Sequence, residues 1–174
     1  MLQVGGYHLM SEHTQPEQAA EGYQPQTVTI EVDPVKLELV NRRNSGASWL
    51  NTVALFAIVN SALTFMEVNL RFIFGLGVAD IGAAVAQYSE SSGLKVVAIG
   101  ITLVAAAIFA GLGIKARKGA TWAFAIGMLL YAADGAIWFM VQDWLEVGCH
   151  AFAVWMMFQG LQANRQLKTL YPND

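Results

Sequence analysis

Asp134 and His150 are the two side chains most able to do chemistry, because both titrate and both lie within long apolar stretches. Asp134 precedes the acidic segment of residues 142–146 by about eight residues, and a carboxylate inside such a stretch is costly unless it is neutral, paired or hydrated. His150 follows the same acidic segment by a few residues. If the two stretches form a helical hairpin, their depths differ by about one helical turn, so we expect the side chains to touch.

Such a pair is compatible with two different roles. It can relay protons or form part of a metal site, or it can be a buried structural contact that locks the hairpin. We favour the structural role, because transporters and membrane enzymes normally carry more polar groups at mid-depth than this sequence does. Tyr131, one turn before Asp134, is expected to hydrogen-bond to it. Asn60, with Thr64 one turn later, is expected to form hydrogen bonds between helices.

Stronger chemical signatures are missing from the sequence. It contains no P-loop, paired-His metalloprotease motif, Gly-x-Ser-x-Gly elbow or dinucleotide fingerprint. Cys149 is the only cysteine, which excludes an internal disulfide and zinc sites built on cysteine pairs. No basic stretch of the kind that follows nucleic acid is present. We therefore expect no catalytic residue, no cofactor, no metal site and no nucleic-acid partner.

The elements that position these residues are apolar helices. Hydrophobic residues make up 55% of the 174-residue chain and charged residues 13%, against about 25% charged in a typical soluble domain. Between short charged clusters lie apolar runs of roughly 20 residues, the length that a helix needs to cross a bilayer. None of the four prolines interrupts these runs. The sequence therefore predicts an all-α, multi-pass membrane protein that resides in the lipid bilayer.

We predict four transmembrane helices, over residues 48–66, 94–114, 120–141 and 147–163, plus an interfacial or re-entrant helix over residues 72–88. The segment 72–88 is marginal as a full crossing, because it is short and contains Asp80. With four crossings, the basic clusters at 42–43, 115–118 and 165–168 share one side and the acidic turn lies on the other. Five crossings would separate the basic clusters. Since basic loops stay in the cytoplasm, we expect four crossings and a cytoplasmic N-terminus.

The chain is expected to divide into four parts: an acidic disordered tail (residues 1–34), a juxtamembrane segment (35–46), the transmembrane bundle (47–165) and a C-terminal tail (166–174). Residues 1–35 contain no Lys or Arg, and they lack the apolar content to build a core. They also lack the pattern of a signal peptide. Within the bundle, small residues are expected to form the helix contacts: Ala106 with Ala110, Ala132 with Ala136, and Gly111 and Gly113.

The second half of the chain resembles uncharacterised small bacterial multi-pass integral membrane proteins. The resemblance rests on residues 122–128, Tyr131, Asp134, residues 142–144 and 150–152, and Gly160-Leu161, and residues 72–77 are similar to a stretch in the same proteins. It implies a location in the bacterial inner (cytoplasmic) membrane. No activity is implied, and no functional residue is carried over.

Three functional hypotheses follow from the sequence. The first is a non-catalytic accessory subunit or scaffold of a membrane assembly, bound to a protein partner or to copies of itself. Small size, sparse polarity within the membrane and a free acidic tail favour it. The alternative is a small transporter or channel component that uses Asp134 and His150. An intramembrane enzyme is the least favoured, because no set of nucleophile, base and metal ligands is present.

Overall fold

The computed structural model describes residues 33–68, 72–89 and 92–172, so the predictions for the acidic tail fall outside the described residues. The described part contains five helices and no strand, which confirms the prediction of an all-α protein. The helices are α1 (Pro34–Phe65), α2 (Gly77–Gln87), α3 (Ser92–Arg117), α4 (Thr121–Met140) and α5 (Trp144–Leu170).

Helix α1 unites the predicted juxtamembrane segment and the first predicted span in 32 continuous residues. Asp33 caps its N-terminus, because its carboxylate accepts hydrogen bonds from the N–H groups of Val35 and Lys36. Pro34 at the first position fits the geometry of a helix start. The helix is about 48 Å long, which exceeds the thickness of a hydrocarbon core, so one part of it must extend beyond the apolar layer. Similarly, α5 continues to Leu170, through most of the predicted C-terminal tail.

The four long helices alternate in direction. Ser61 contacts Thr102 at one end of the α1–α3 pair, and Arg117 donates to Ser48 at the other, so the two helices are antiparallel. In the α4–α5 pair, Asn164 bonds to Thr121 near the start of α4, whereas His150 lies against Asp134 near its end. The starts of α1 and α4 therefore lie with the ends of α3 and α5. We call this the basic end of the bundle, and the opposite one the acidic end.

Close helix contacts are made at glycines, but not at all of those predicted. A Cβ atom on Gly46 would lie 2.6 Å from the Cα atom of Gly160, so α1 and α5 meet backbone to backbone. A Cβ atom on Gly113 would lie 2.4 Å from the Oδ1 atom of Asn51, so Gly113 packs against that side chain of α1, and Ala106 is buried. The prediction was wrong for three other small residues, which face outward: Gly111, Ala132 and Ala136. A small side chain suits an outward face and a helix contact equally well, so residue size alone did not distinguish them.

Among the described residues, three helices are long and apolar enough to cross a membrane: α1, α3 and α4, with mean hydropathies of 1.4, 2.4 and 1.6 over their most apolar windows. We predicted four membrane-spanning helices. The fourth of them, in α5, is not apolar enough to be counted with the other three. Polar side chains on the inward face of α5 explain the difference, since Glu146, His150 and Asn164 are all buried. Residues 72–88 are also not one helix, because α2 begins only at Gly77.

The connection between α1 and α3 enters the bundle and returns. α1 ends and α3 begins at the acidic end, yet the ring of Phe74 lies 5.4 Å from that of Trp49, well down α1. Residues 72–76 therefore lie among the long helices, and α2 leads back towards the start of α3. We call residues 72–87 the inserted segment. Its helix buries Ala79, Ala83 and Ala86, and turns larger apolar side chains outward: Val78, Ile81 and Val85.

Candidate functional site

The predicted contact between Asp134 and His150 is present. The Asp134 Oδ2 and His150 Nε2 atoms are 3.1 Å apart, and both side chains are buried. The turn of residues 141–143 joins α4 and α5, and Gln142 there has a φ of 61°. The N–H of Asp143 bonds back to the Trp138 carbonyl, which closes the turn tightly. This tight hairpin brings the end of α4 against the first turns of α5.

Asp134 also caps a helix that is distant in the sequence. Its Oδ2 atom accepts a 2.7 Å hydrogen bond from the N–H of Gly77, and its Oδ1 atom accepts a 3.0 Å bond from that of Val78. Leu76, at the cap position of α2, provides no side-chain hydrogen bond, and the N–H of Ala79 reaches the Leu76 carbonyl. Every N–H of the first turn of α2 therefore has an acceptor. A carboxylate here also interacts favourably with the helix dipole.

The hydrogen bonds of His150 fix the number of protons on the pair. Its Nδ1 atom lies 2.9 Å from the carbonyl oxygen of Glu146, which can only accept, so Nδ1 carries a hydrogen. One further proton lies between Nε2 and the Oδ2 atom of Asp134. The pair is therefore either an imidazolium with a carboxylate or a neutral imidazole with a carboxylic acid. Both forms have zero net charge, which lowers the cost of burying the pair.

Tyr131 does not bond to Asp134 as the sequence predicted. Its hydroxyl donates to the carbonyl oxygen of Phe74 at 3.2 Å. Its ring stacks on that of His150, with centroids 4.3 Å apart and planes 18° apart. The difference has a physical cause, since a carbonyl outside regular structure needs a donor when it is buried. Tyr131 thus links the Asp134–His150 pair to the loop of the inserted segment.

Asn60 binds the same loop from the opposite helix. Its Nδ2 atom donates to the Phe72 carbonyl at 2.7 Å, and its Oδ1 atom accepts from the Phe72 N–H at 2.8 Å. Nδ2 also lies 3.3 Å from the Oδ2 atom of Asp80, so Asn60 forms the contact between helices that was predicted. The hydroxyl of Thr64 does not bond to another helix as predicted, because it donates to the Asn60 carbonyl within α1.

Two glycines allow the inserted segment to lie so close to these side chains. A Cβ atom on Gly75 would lie 2.4 Å from the Nδ2 atom of Asn60. On Gly77 it would lie 2.7 Å from the indole nitrogen of Trp138. Glycine is therefore required at both positions by close approach rather than by an unusual backbone angle.

Four side chains thus form one unit around the main chain of the inserted segment. Asn60, Tyr131 and Asp134 bond to it directly, and His150 bonds to Asp134. We call these four residues the backbone clamp. The sequence drew attention to all four, but it did not show that their common target is the backbone of residues 72–78. The one available signal was a helix start at Gly77 with no capping side chain before it.

Two hollows that reach the backbone clamp are lined mainly by apolar residues. A groove of about 310 Å³ between α4 and α5 reaches His150, and small or apolar residues line the rest of it. A second hollow of about 190 Å³ reaches Asp134 between Leu76, Phe109 and other apolar side chains. Within the ranges that the structure describes, no group of three or more His, Cys, Asp or Glu residues is placed to hold a metal ion.

Comparisons with models of protein families, with curated protein sequences and with solved structures found no match. Function must therefore be inferred from the arrangement of the side chains. The backbone clamp can hold an irregular segment inside the bundle, and it can keep one proton between two titratable groups.

Proposed function

We propose that this chain is a non-catalytic integral membrane protein, an accessory subunit or scaffold of a membrane assembly. In this proposal four helices cross the bilayer and the inserted segment is re-entrant. One observation carries the proposal: three buried side chains of the bundle, those of Asn60, Tyr131 and Asp134, bond to the main chain of the inserted segment. Irregular backbone at membrane depth is tolerated only where protein satisfies it, and the backbone clamp meets that need.

The outward face of α5 supports a fourth crossing. From Trp144 to Phe158 its exposed side chains are all apolar, and exposed polar ones begin only at Gln162. The low hydropathy of α5 arises from side chains that face the bundle, where they contact protein and not lipid. The exposed apolar residues in this stretch are Trp144, Leu145, Gly148, Ala151, Phe152, Trp155 and Phe158.

Charge supports the orientation. Eight of the ten Lys and Arg residues of the chain lie at the basic end. Lys95, near the start of α3, lies at the other end, and Arg71 is outside the described residues. Following the positive-inside rule, we place the basic end and the N-terminus in the cytoplasm, and the resemblance noted above favours a bacterial inner membrane. The eight residues are Lys36, Arg42, Arg43, Lys115, Arg117, Lys118, Arg165 and Lys168.

The contacts of Asp134 favour a structural role over a catalytic one. Its two oxygen atoms bond to two main-chain N–H groups and to an imidazole, all from the protein itself. A residue that acts on a substrate must release such bonds, and releasing these would uncap α2 inside the apolar layer. The arrangement is thus suited to holding a shape.

The outer surface of α4 offers a place for a partner or a second copy. Small residues line the groove between α4 and α5 and leave it open on the outside: Ala132, Gly135, Ala136 and Ala151. Helices in membranes associate by close packing at such residues, because lipid provides no hydrophobic force between them.

Purification from membranes of the native host tests the scaffold proposal. We expect the full chain, extracted under mild conditions, to be recovered with a stoichiometric partner or as a defined oligomer. Ala132→Leu with Ala136→Leu should reduce that association, whereas Gly111→Leu, an equally exposed change on α3, should leave it intact. Recovery of a monomer alone from crosslinked native membranes would contradict the proposal.

A transporter or channel component is the second candidate, and the hydrogen bond between Asp134 and His150 is the observation that favours it. A proton relay requires titratable side chains in direct hydrogen-bond contact, and these two are 3.1 Å apart. Proton or cation flux into liposomes that contain the protein, abolished by Asp134→Asn in a protein of unchanged stability, would establish it.

A further inference from the structure

The basic end of the bundle contains a cleft that the functions discussed above do not use. It has a volume of about 360 Å³ and lies where the start of α1, the turn between α3 and α4, and the end of α5 meet. This is within the size range of small-ligand sites. Four cationic side chains line it, and none of the described lining residues is acidic: Lys36, Arg43, Lys118 and Lys168.

The described hydrogen bonds of these cations go to neutral groups. The Arg43 guanidinium donates to the side-chain oxygen of Asn44, and the Lys168 ammonium to the hydroxyl of Thr121 at 3.1 Å. The Lys36 ammonium lies 5.3 Å from the centre of the Tyr171 ring. Asp33 lies at one side of the cleft, where its carboxylate accepts a hydrogen bond from the hydroxyl of Tyr171. The cleft thus gathers four cationic side chains beside Asp33.

The turn between α3 and α4 forms one wall of the cleft. Beside it, the Thr121 hydroxyl oxygen accepts hydrogen bonds from both Lys168 and Asn164. Asn164 also holds the Gly119 carbonyl, which fixes the turn against α5. The starts of α1 and α4 and the ends of α3 and α5 all lie at this end, so their dipoles oppose one another and the lining cations set the charge of the cleft.

We propose that this cleft binds a phosphate group. Phosphate offers several charged acceptor oxygens, which match the Lys and Arg side chains that line this one cleft. Its position favours the phosphate of an anionic lipid over a free phosphate ion. Trp122, exposed next to Thr121, belongs at the level of the membrane interface, and so the cleft lies at the level of lipid headgroups. That placement rests on the proposed membrane orientation, whereas binding of phosphate does not.

Lipid and phosphate titrations of the full chain in detergent test the proposal. The ligands are phosphatidylglycerol, phosphatidylcholine and inorganic phosphate, and native mass spectrometry with thermal unfolding measures binding. We expect phosphatidylglycerol to bind more tightly than phosphatidylcholine. Arg43→Gln, Lys118→Gln and Lys168→Gln together should weaken phosphatidylglycerol binding by roughly 30- to 100-fold, since each cation near a phosphate contributes several-fold.

A matched variant separates the cleft from the general charge of this end. Arg42, Lys115 and Arg165 are exposed at the same end and do not line the cleft. Their joint replacement by Gln removes the same charge, and it should weaken binding less than about three-fold, because these side chains lie outside the cleft and salt screens their charge from a ligand bound within it. If the triple cleft variant fails to fold, Lys118→Glu compared with Lys115→Glu gives the same test, since both residues are exposed near the end of α3.

The outcomes are distinct. Tight binding of inorganic phosphate with no preference for phosphatidylglycerol would support a phosphate site that takes a soluble ligand. Equal losses in the cleft and matched variants would overturn the proposal, because binding would then follow total charge. Binding of neither ligand by the unaltered chain would overturn it as well. None of these results affects the role of the backbone clamp, which lies towards the acidic end.

Discussion

Replacement of Asp134 should destabilise the protein in a graded way. Asp134→Ala removes the hydrogen-bond partner of three groups: the buried N–H of Gly77, the partly buried N–H of Val78 and the imidazole of His150. An unsatisfied buried donor costs about 1–3 kcal/mol, although His150 can lose its second proton and reduce its share. We therefore expect Asp134→Ala to lower the free energy of unfolding by about 3–5 kcal/mol.

Asp134→Asn should cost less, about 1–3 kcal/mol. An amide can keep an acceptor towards Val78 and present a donor to a neutral His150. Gly77 and His150 at present bond to the same carboxylate oxygen, so an amide NH₂ group in its place would face the N–H of Gly77. The hydrogen bond to Gly77 is then lost, and those to Val78 and His150 can remain.

Unfolding of the purified chain in mixed micelles, followed by the loss of helical signal, measures these differences. A double-mutant cycle with His150→Phe isolates the contact between the two side chains, and we expect a coupling energy of about 1 kcal/mol or more. Additive effects would refute the reasoning, since residues that share a proton cannot act independently. A loss for Asp134→Asn as large as that for Asp134→Ala would also count against it.

Two further predictions concern the inserted segment and the start of α1. Gly77→Ala should lower the free energy of unfolding by about 1–3 kcal/mol, because the added Cβ atom would meet Trp138. The control is Gly82→Ala in the same helix, whose Cβ atom would meet nothing described within 4 Å, and it should be neutral or slightly stabilising in the same unfolding assay. The Tyr171 hydroxyl, together with N–H groups of α1, holds the pKa of Asp33 below its ordinary value, so this contact is complete at neutral pH and is lost as the pH falls through that lowered pKa. Tyr171→Phe should shift the titration of Asp33 to higher pH in a carboxyl NMR experiment, and an unchanged titration would show that the hydroxyl does not stabilise the carboxylate.

Hydropathy and helix periodicity were sufficient to predict the long helices and the contact within one hairpin. The apolar runs located α1, α3 and α4, and the short distance of Asp134 and His150 from the same turn brought them together. Both inferences depend only on neighbours in the sequence. A hairpin leaves little freedom in which residues face each other, so spacing along the chain was enough.

The use of Asp134 as a cap for α2 could not be predicted in this way. Gly77 is distant from Asp134 in the sequence, and their contact depends on how the inserted segment enters the bundle. Tyr131 illustrates the same limit. A partner one turn away on its own helix was the natural choice from the sequence, but its hydroxyl reaches a carbonyl of the inserted segment. The predicted span in α5 does not reach the mean hydropathy of α1, α3 and α4, since an average over all residues does not separate the polar inward face of α5 from its apolar outward face.

The most direct test of the central claim asks on which side of the membrane the two flanks of the inserted segment lie. Met66 and Tyr88 are exposed just before and just after it, and Gln166 is exposed at the basic end. Each is replaced singly by Cys in a Cys149→Ser background and treated in intact cells with a maleimide that cannot cross the inner membrane. We predict labelling of Met66→Cys and Tyr88→Cys, and no labelling of Gln166→Cys until the membrane is opened. Labelling of only one of the two flanks would mean that residues 72–87 cross the bilayer, and would contradict the re-entrant arrangement that the backbone clamp is proposed to hold.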